Sequence, residues 1–279
     1  MTLSTAGEIT AQLRRIAGAD RLLVASDFDG TLAPLGADPM AVRMLPAARA
    51  AVDELTPLPG AWVALVSGRS LVDLEVIAEH RADSPLLMAG SHGAEYWFPG
   101  EGAIEPVESD AETALRDRLR AEAVQATAEL EGVWIEPKTF GFGVHTRRAG
   151  AEDAAAANRI VDAIVRVQAP AWRRRTGHSI VEYSFRHEGK DTAVARLRER
   201  VDASCVLFAG DDVTDEDALR SLGPEDLGVR IGDQPTAATL RLPDIPAFAA
   251  LLRELAHLRA AATAARAAAR TASGGTVRE

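Results

Sequence analysis

The chain has 279 residues, 47% of them hydrophobic, and a formal net charge of −10. That length suits one large or two modest domains with real cores, and the negative balance argues against nucleic acid or an anionic membrane as the main partner. Cys205 is the single cysteine and lies in an apolar run, which excludes a disulfide framework or a thiolate metal site; no segment reaches the ~18 apolar residues of a membrane span, and the first residues lack the basic-then-apolar pattern of a secretory signal. A cytoplasmic setting is the expectation.

In chain order, Leu22-Leu23-Val24-Ala25-Ser26 is a short continuous apolar run, as expected of a strand buried on both faces of a parallel sheet. Residues 46–56, with Pro46 at a first helical position, read as a helix. A second strand at 61–66, a helix at 70–79 and a third strand at 85–89 follow. The middle of the chain changes character. Ser109-Asp110-Ala111-Glu112 is a capping-box pattern, and Leu115, Leu119, Ala126 and Leu130 mark one helical face, stopped by Gly132. Extended pieces at 133–138 and 142–147 join through a turn at Gly141. A helix at 152–167 ends before Pro170, and 172–175 with 179–184 form another hairpin. This αββαββ block interrupts the alternation of strands and helices, which resumes with a helix at 190–201 and a strand at 205–209. The expected architecture is therefore α/β: a doubly wound, Rossmann-like parallel-sheet core from 1–107 and 188–279, with an inserted α+β domain at 108–187. The Ala/Arg repeats from Ala260 favour helix by propensity; 260–279 is read as a flexible tail with disordered last residues.

Four segments carry the chemistry. Asp27-Phe28-Asp29-Gly30-Thr31 directly follows the first strand, where open α/β sheets bind ligands. Asp27 and Asp29 share a face in an extended chain and repel unless a cation neutralises them; a hard divalent ion such as Mg2+ is the simplest solution, and an acidic turn is the plainer one. Ser67-Gly68-Arg69 follows the second strand and offers a hydroxyl and backbone N–H groups at a helix start. Lys190 opens a later helix. Gly210-Asp211-Asp212-Val213-Thr214-Asp215-Glu216-Asp217 puts carboxylates after the last apolar strand, where they would alternatively serve only as helix N-terminal charges. Of 31 basic residues only Lys138 and Lys190 are lysines, so lysine is expected where a compact ammonium is required.

In their order these segments resemble the four motifs of the haloacid-dehalogenase-like phosphohydrolases. Gly90-Ser91-His92-Gly93-Ala94-Glu95, Glu136 with Lys138 ahead of His145 and Arg147, and the run from Val229 through Gly232 to Ala238 are similar to the trehalose-6-phosphate phosphatase family. The resemblance spans about 20–255. It implies that Asp27 attacks phosphorus to form an aspartyl-phosphate and that Asp29 is the acid/base. It implies that Mg2+ is held by the Asp27 carboxylate, the Asp29 carbonyl and Asp211, with Asp212 or Asp215 in support. Ser67 and Lys190 would hold the phosphoryl oxygens, with Thr31, Gly68 and Arg69 beside them. The insert would be a C2-type cap reading the sugar through Glu136, Lys138, His145 and Glu182, with His92 touching substrate or shaping its loop. Trp134 and Trp172 read as cap core. The implied substrate is the small-molecule sugar phosphate trehalose 6-phosphate, and the implied functional partner a trehalose-6-phosphate synthase. Two departures are visible: Tyr183-Ser184 stand where the family has Arg-Pro, and Asp191 follows Lys190 in place of Gly. The first leaves another phosphorylated glycoside or pseudo-disaccharide as an alternative substrate. A phospho-accepting signalling module is the alternative of a different class, and it has no use for the insertion.

Overall fold

The computed structural model describes residues 6–274 apart from 37, 105 and 178. These residues form two compact units. The first draws on the chain up to Ile104, from Lys190 to Asp211, and from Asp215 onward; the second on the stretch between, up to Gly189, together with Asp212–Thr214.

The first unit contains α1 (Ala6–Ala17), β1 (Leu22–Ser26), α2 (Pro46–Leu55), β2 (Ala61–Val66), α3 (Leu71–Ile77), β3 (Leu87–Gly90), β4 (Glu95–Phe98) and β5 (Gly102–Ile104). The second contains α4 (Asp110–Ala126), β6 (Trp134–Lys138), β7 (Gly141–His145), α5 (Ala151–Gln168), β8 (Arg173–Gly177) and β9 (Ile180–Ser184). The chain then returns to the first through α6 (Lys190–Arg200), β10 (Cys205–Gly210), α7 (Asp215–Ser221), β11 (Leu227–Ile231), β12 (Leu240–Leu242) and α8 (Ile245–Gly274).

The large sheet runs β12-β11-β10-β1-β2-β3-β4-β5. It is parallel from β12 to β3, while β4 and β5 are antiparallel. Leu22 and Val24 point into a core shared with α1, α2, α3 and α8; Leu23 and Ala25 point into a second core with α6 and α7. Burial on both faces is why these strands read as unbroken apolar runs and not as alternating ones. The third strand starts two residues later than expected because Pro85 has no N–H to give and the Leu86 N–H turns to Ser84 Oγ at 3.3 Å. The aromatic hairpin β4–β5 was not anticipated. Gly100 and Gly102, both at positive φ, supply its tight turn.

In the second unit the sheet order is β6-β7-β9-β8, antiparallel throughout. The capping box forms: Ser109 accepts from the Glu112 N–H and Glu112 from the Ser109 N–H. Phe142, Val144, Val181 and Tyr183 pack against Leu119 of α4 and Ala157, Val161 and Val165 of α5. One face of this sheet is thus dry core, and the register puts Trp134, Glu136, Lys138, His145 and Glu182 on the other. Trp172 packs on the core as expected, whereas Trp134 does not.

The Ala/Arg segment is the end of α8, helical through Gly274; residues 275–279 lie outside the described residues. Arg259 on this helix is 1% exposed and donates to the carbonyls of Ala17, Ala19, Asp20, Pro59 and Gly60. It ties the α1–β1 and α2–β2 turns to the C-terminal helix. Among the described residues no helix is long and apolar enough to cross a membrane.

Candidate active site

The carboxyl ends of β1 and β10 lie side by side, and the Asp27 N–H donates to the Ala209 carbonyl at 2.9 Å. This register brings the first and last motifs together. Lys190, at the start of α6, places its ammonium 2.9 Å from Asp27 Oδ1 and 2.6 Å from Asp215 Oδ1, with the lysine and Asp215 almost wholly buried. Asp215 Oδ2 accepts the Asp211 N–H at 3.0 Å. Thr31, fully buried, donates its hydroxyl to Asp211 Oδ1 at 3.2 Å. Gly30 turns the chain at φ +82°, and a Cβ there would run into the Asp211 carboxylate. Gly30 therefore makes the close approach of the two motifs possible.

Asp27, Asp211 and Asp215 offer carboxylate oxygens that all lie within 4.8 Å of one another. Burial, opposed by the Lys190 charge, and then the neighbouring Asp215 and Asp211 hold the Asp27 carboxyl well above the usual range. Burial works against the Lys190 ammonium, but Asp215 and Asp27 more than offset it and raise its pKa. Three carboxylates facing one ammonium leave an excess of negative charge. Hard oxygen donors and uncompensated negative charge fit a divalent cation such as Mg2+.

Ser67 is buried at the end of β2, and its Oγ accepts the Arg69 N–H at 3.1 Å. The Arg69 guanidinium grips Asp29 with two parallel bonds, Nε to Oδ2 at 2.6 Å and Nη2 to Oδ1 at 2.7 Å. Asp29 thus stands apart from the three-carboxylate group. The helix start expected to receive an anion is largely spoken for: the Leu71 N–H goes to Glu95 at 3.1 Å and the Asp73 N–H to Ser70 at 3.2 Å. Ser91 and His92 adopt positive φ (47° and 58°), held by Ser91 N–H to Arg69 O at 2.6 Å, His92 N–H to Ser67 O at 2.9 Å, and the Ser91 hydroxyl on Glu95 at 2.5 Å. The His92 ring lies against Gly68, where a Cβ would meet it at 2.7 Å. His92 therefore buttresses the Ser67-Gly68-Arg69 turn.

In the second unit Glu136, Lys138, His145 and Glu182 converge. Lys138 Nζ is 2.8 Å from Glu136 and 3.5 Å from Glu182, and His145 Nε2 is 2.7 Å from Glu136. Glu136 pairs across the sheet with Gly143, and Gly143 with Glu182, so bare backbone lies between the two carboxylates. Burial alone would raise the Glu136 pKa, but the His145 hydrogen bond and the Lys138 charge bring it down to about 2. Burial likewise opposes the Lys138 charge, and Glu182 and Glu136 overcome it to raise its pKa. Asp212 groups with this second unit. The departure at Tyr183 lies on the buried face, its hydroxyl donating to Asp162 at 2.6 Å.

Sequence reasoning did not find the Thr31–Asp211 bond, the Asp29–Arg69 pair, or the buried Arg230–Glu216 pair at 3.4 Å, in which Glu216 also accepts the Ala237 N–H at 2.8 Å. The last had a faint signal in the similarity of the Val229–Ala238 run to known sequences; the others had none. A shallow cleft of about 270 Å3 lined by Arg21, Trp62, Phe98 and Arg200 is also present, its guanidiniums already engaged by the Val201 carbonyl and Glu101.

Residues 25–245 match the model of the family described as trehalose-phosphatase. A probable trehalose-phosphate phosphatase of Sinorhizobium fredii is 35% identical over 235 residues, covering 83% of this chain and 85% of the relative. A trehalose-phosphate phosphatase of Mycobacterium ulcerans is 33% identical over 240 residues; there the match takes in 77% of this chain but only 56% of the longer relative. The C-terminal domain of C. albicans trehalose-6-phosphate phosphatase superposes with a TM-score of 0.78 at 20% identity, covering 92% of this chain and 98% of that one, which speaks for the shared fold. With Lys190 set between the carboxylates that follow β1 and β10 and its family model matched over most of its length, the chain belongs to the trehalose-phosphatase family of phosphoric monoester hydrolases, on a haloacid-dehalogenase-like core.

Proposed function

We propose that this protein hydrolyses trehalose 6-phosphate to trehalose and phosphate through an aspartyl-phosphate on Asp27. The observation that carries the reading is the buried Lys190 ammonium between Asp27 and Asp215, beside Asp211, in a chain of this family. One Asp27 oxygen is paired with Lys190, which orients the carboxylate and leaves the other oxygen to attack phosphorus. The phosphoryl group forms a bond to Asp27 as its bond to the sugar oxygen breaks. Ser67 and Lys190 provide donors to the phosphoryl oxygens, where positioning and charge stabilisation do most of the work. Asp29 gives the proton that the departing sugar oxygen needs and takes one from the water that releases phosphate. Its tight pairing with Arg69 means that Arg69 must transfer its grip, and the incoming phosphate dianion is the natural acceptor of a bidentate guanidinium. Asp27 and Asp211, with Asp215, are the residues that would hold Mg2+; when bound it supplies positive charge to the transferring phosphoryl group.

The second unit is read as the substrate-recognition domain. Two carboxylates, an ammonium and an imidazole gathered on one face suit the alternating donors and acceptors of a polyol. Tyr183 faces the core of this unit, so the departure there does not remove a group from the polar face. Pairing with a trehalose-6-phosphate synthase, which supplies the substrate, belongs to the same reading.

The test is phosphate release from a panel of phosphorylated sugars with Mg2+, alongside Asp27→Asn. Preference for trehalose 6-phosphate, loss of turnover in the variant, and an acid-quenched phosphoryl adduct on the peptide carrying Asp27 are expected. Equal rates across the panel would overturn the substrate; turnover surviving in Asp27→Asn would overturn the mechanism.

A further inference from the structure

Trp134 is placed unlike any other aromatic residue of the second unit. It opens β6 with 38% of its surface exposed and takes no part in the core against α4 and α5. A single exposed hydrophobic residue is ordinary. What sets this one apart is its company. It pairs across the ladder with His145 and shares the polar face with Glu136, Lys138 and Glu182. Its ring lies flat on the His145 imidazole, centroids 4.4 Å apart and planes 2° from parallel, and the Arg148 guanidinium stands 5.5 Å from its centroid. His145 in turn points Nε2 at Glu136, 2.7 Å away.

An imidazole on a strand end has a freely turning ring unless something fixes its plane. Glu136 fixes one nitrogen; the indole fixes the plane. An indole is also rigid, with two side-chain torsions to restrict, so it provides a flat apolar surface at small entropic cost. A pyranose ring has hydroxyls around its edge and C–H bonds on its faces, so it is read by polar groups beside a flat aromatic wall. This face has both, and at Gly143 the missing side chain leaves room for Ile180, which lies over that glycine beside the Glu136 carboxylate.

We infer that Trp134 is a positioning and specificity-determining residue: it holds His145 in plane and forms with it the wall that distinguishes a phosphorylated disaccharide from a small phosphate ester. This rests on reading the second unit as the recognition domain. It predicts that Trp134 matters for the sugar and not for phosphoryl transfer.

Steady-state kinetics of Trp134→Ala, Trp134→Phe, His145→Ala and the double alanine variant test this on trehalose 6-phosphate and on p-nitrophenyl phosphate, with thermal unfolding as a check of folding. In Trp134→Ala the KM for the disaccharide phosphate should rise about tenfold, the scale of one aromatic pair, with kcat within about twofold. Trp134→Phe should restore it to within about threefold, kcat/KM on the aryl phosphate should not move, and adding Trp134→Ala to His145→Ala should cost clearly less than Trp134→Ala costs alone. An unchanged KM, an equal loss on both substrates, or additive losses in the double variant would overturn the inference. Failure of the parent reading appears elsewhere, as a wild type that prefers another sugar phosphate; the same variants assayed on that substrate then decide the role of Trp134.

Discussion

Lys190 sits between two buried carboxylates and is itself buried, and it is one of only two lysines in a chain that otherwise uses arginine. A guanidinium carries the same charge but is planar and larger, and it cannot present a point charge 2.9 Å from Asp27 and 2.6 Å from Asp215 at once. Lys190→Arg should therefore lower kcat by about 10²-fold or more, the usual loss when a charge-stabilising donor is removed. Lys138→Arg should act on KM instead, because Lys138 bridges Glu136 and Glu182 in the unit proposed to read the sugar. Steady-state kinetics of the two variants check this, and unchanged activity in both would mean that the lysines are accidents of composition. At this scale the sequence revealed the charged groups but not their supports. Asp27 and Asp211 stand at strand ends that apolar runs advertise, and Lys190 opens a helix. Thr31 and Arg69 lie among them with nothing in the sequence to say that one orients Asp211 and the other holds Asp29.

The inner strands of the large sheet were legible because burial on both faces leaves no polar position to break the pattern. β4–β5 was not, because four residues of Glu95-Tyr96-Trp97-Phe98 are too short to carry a period. The polar face of the second sheet was legible only in part. Glu136 and Lys138 two residues apart on a strand announce a shared face, but Gly143 and Glu182 join them through cross-strand register that spacing along the chain does not encode. That pairing gives this sheet a pH dependence. The Glu136 carboxyl sits at about 2 in the fold against 4.5 ordinarily. A depressed carboxyl stabilises the fold above its unfolded pKa, and that contribution is lost as pH falls from 4.5 towards 2. Allowing for its partial exposure to solvent, the contribution is about 1–2 kcal/mol. The protection factors of the β6–β7 amides, taken relative to intrinsic exchange at each pH, should therefore fall as pH drops between those two values, and Glu136→Gln should flatten the dependence. A profile in the variant matching that of the wild type would show that the shift lies elsewhere.

Across the first unit, hydrogen bonds accumulate at one end of the sheet and like charges at the other. At the far end Arg259 satisfies the carbonyls of two turns from a single buried guanidinium, and Arg266 reaches the Gly18 carbonyl. Its place just ahead of an Ala/Arg run gave no hint of this, since the nearby arginines look identical in sequence. Arg259→Leu should cost about 2–4 kcal/mol, because it leaves several buried carbonyls without donors, and thermal unfolding should show it as a lowered midpoint. At the carboxyl ends of β1 and β10 the balance is reversed: Asp27 and Asp215 share one ammonium, and the Asp211 carboxylate is crowded against them. Like charges held together by the fold raise its free energy until a cation binds. Asp211→Asn keeps the size of the side chain and an oxygen to accept the Thr31 hydroxyl, while removing one of the three charges. In metal-free protein this variant should thus unfold about 2–4 °C above the wild type, the shift that ~1 kcal/mol produces in a chain of this length. Added Mg2+ should raise the wild-type midpoint further than that of the variant, reversing their order, because only the wild type keeps all three carboxylates. The variant should at the same time lose about 10²-fold or more in kcat. Calorimetry with and without Mg2+ reads both halves of this exchange. A variant less stable than the wild type without metal would show that Asp211 stabilises the fold through its hydrogen bonds and that the repulsion is already relieved by Lys190.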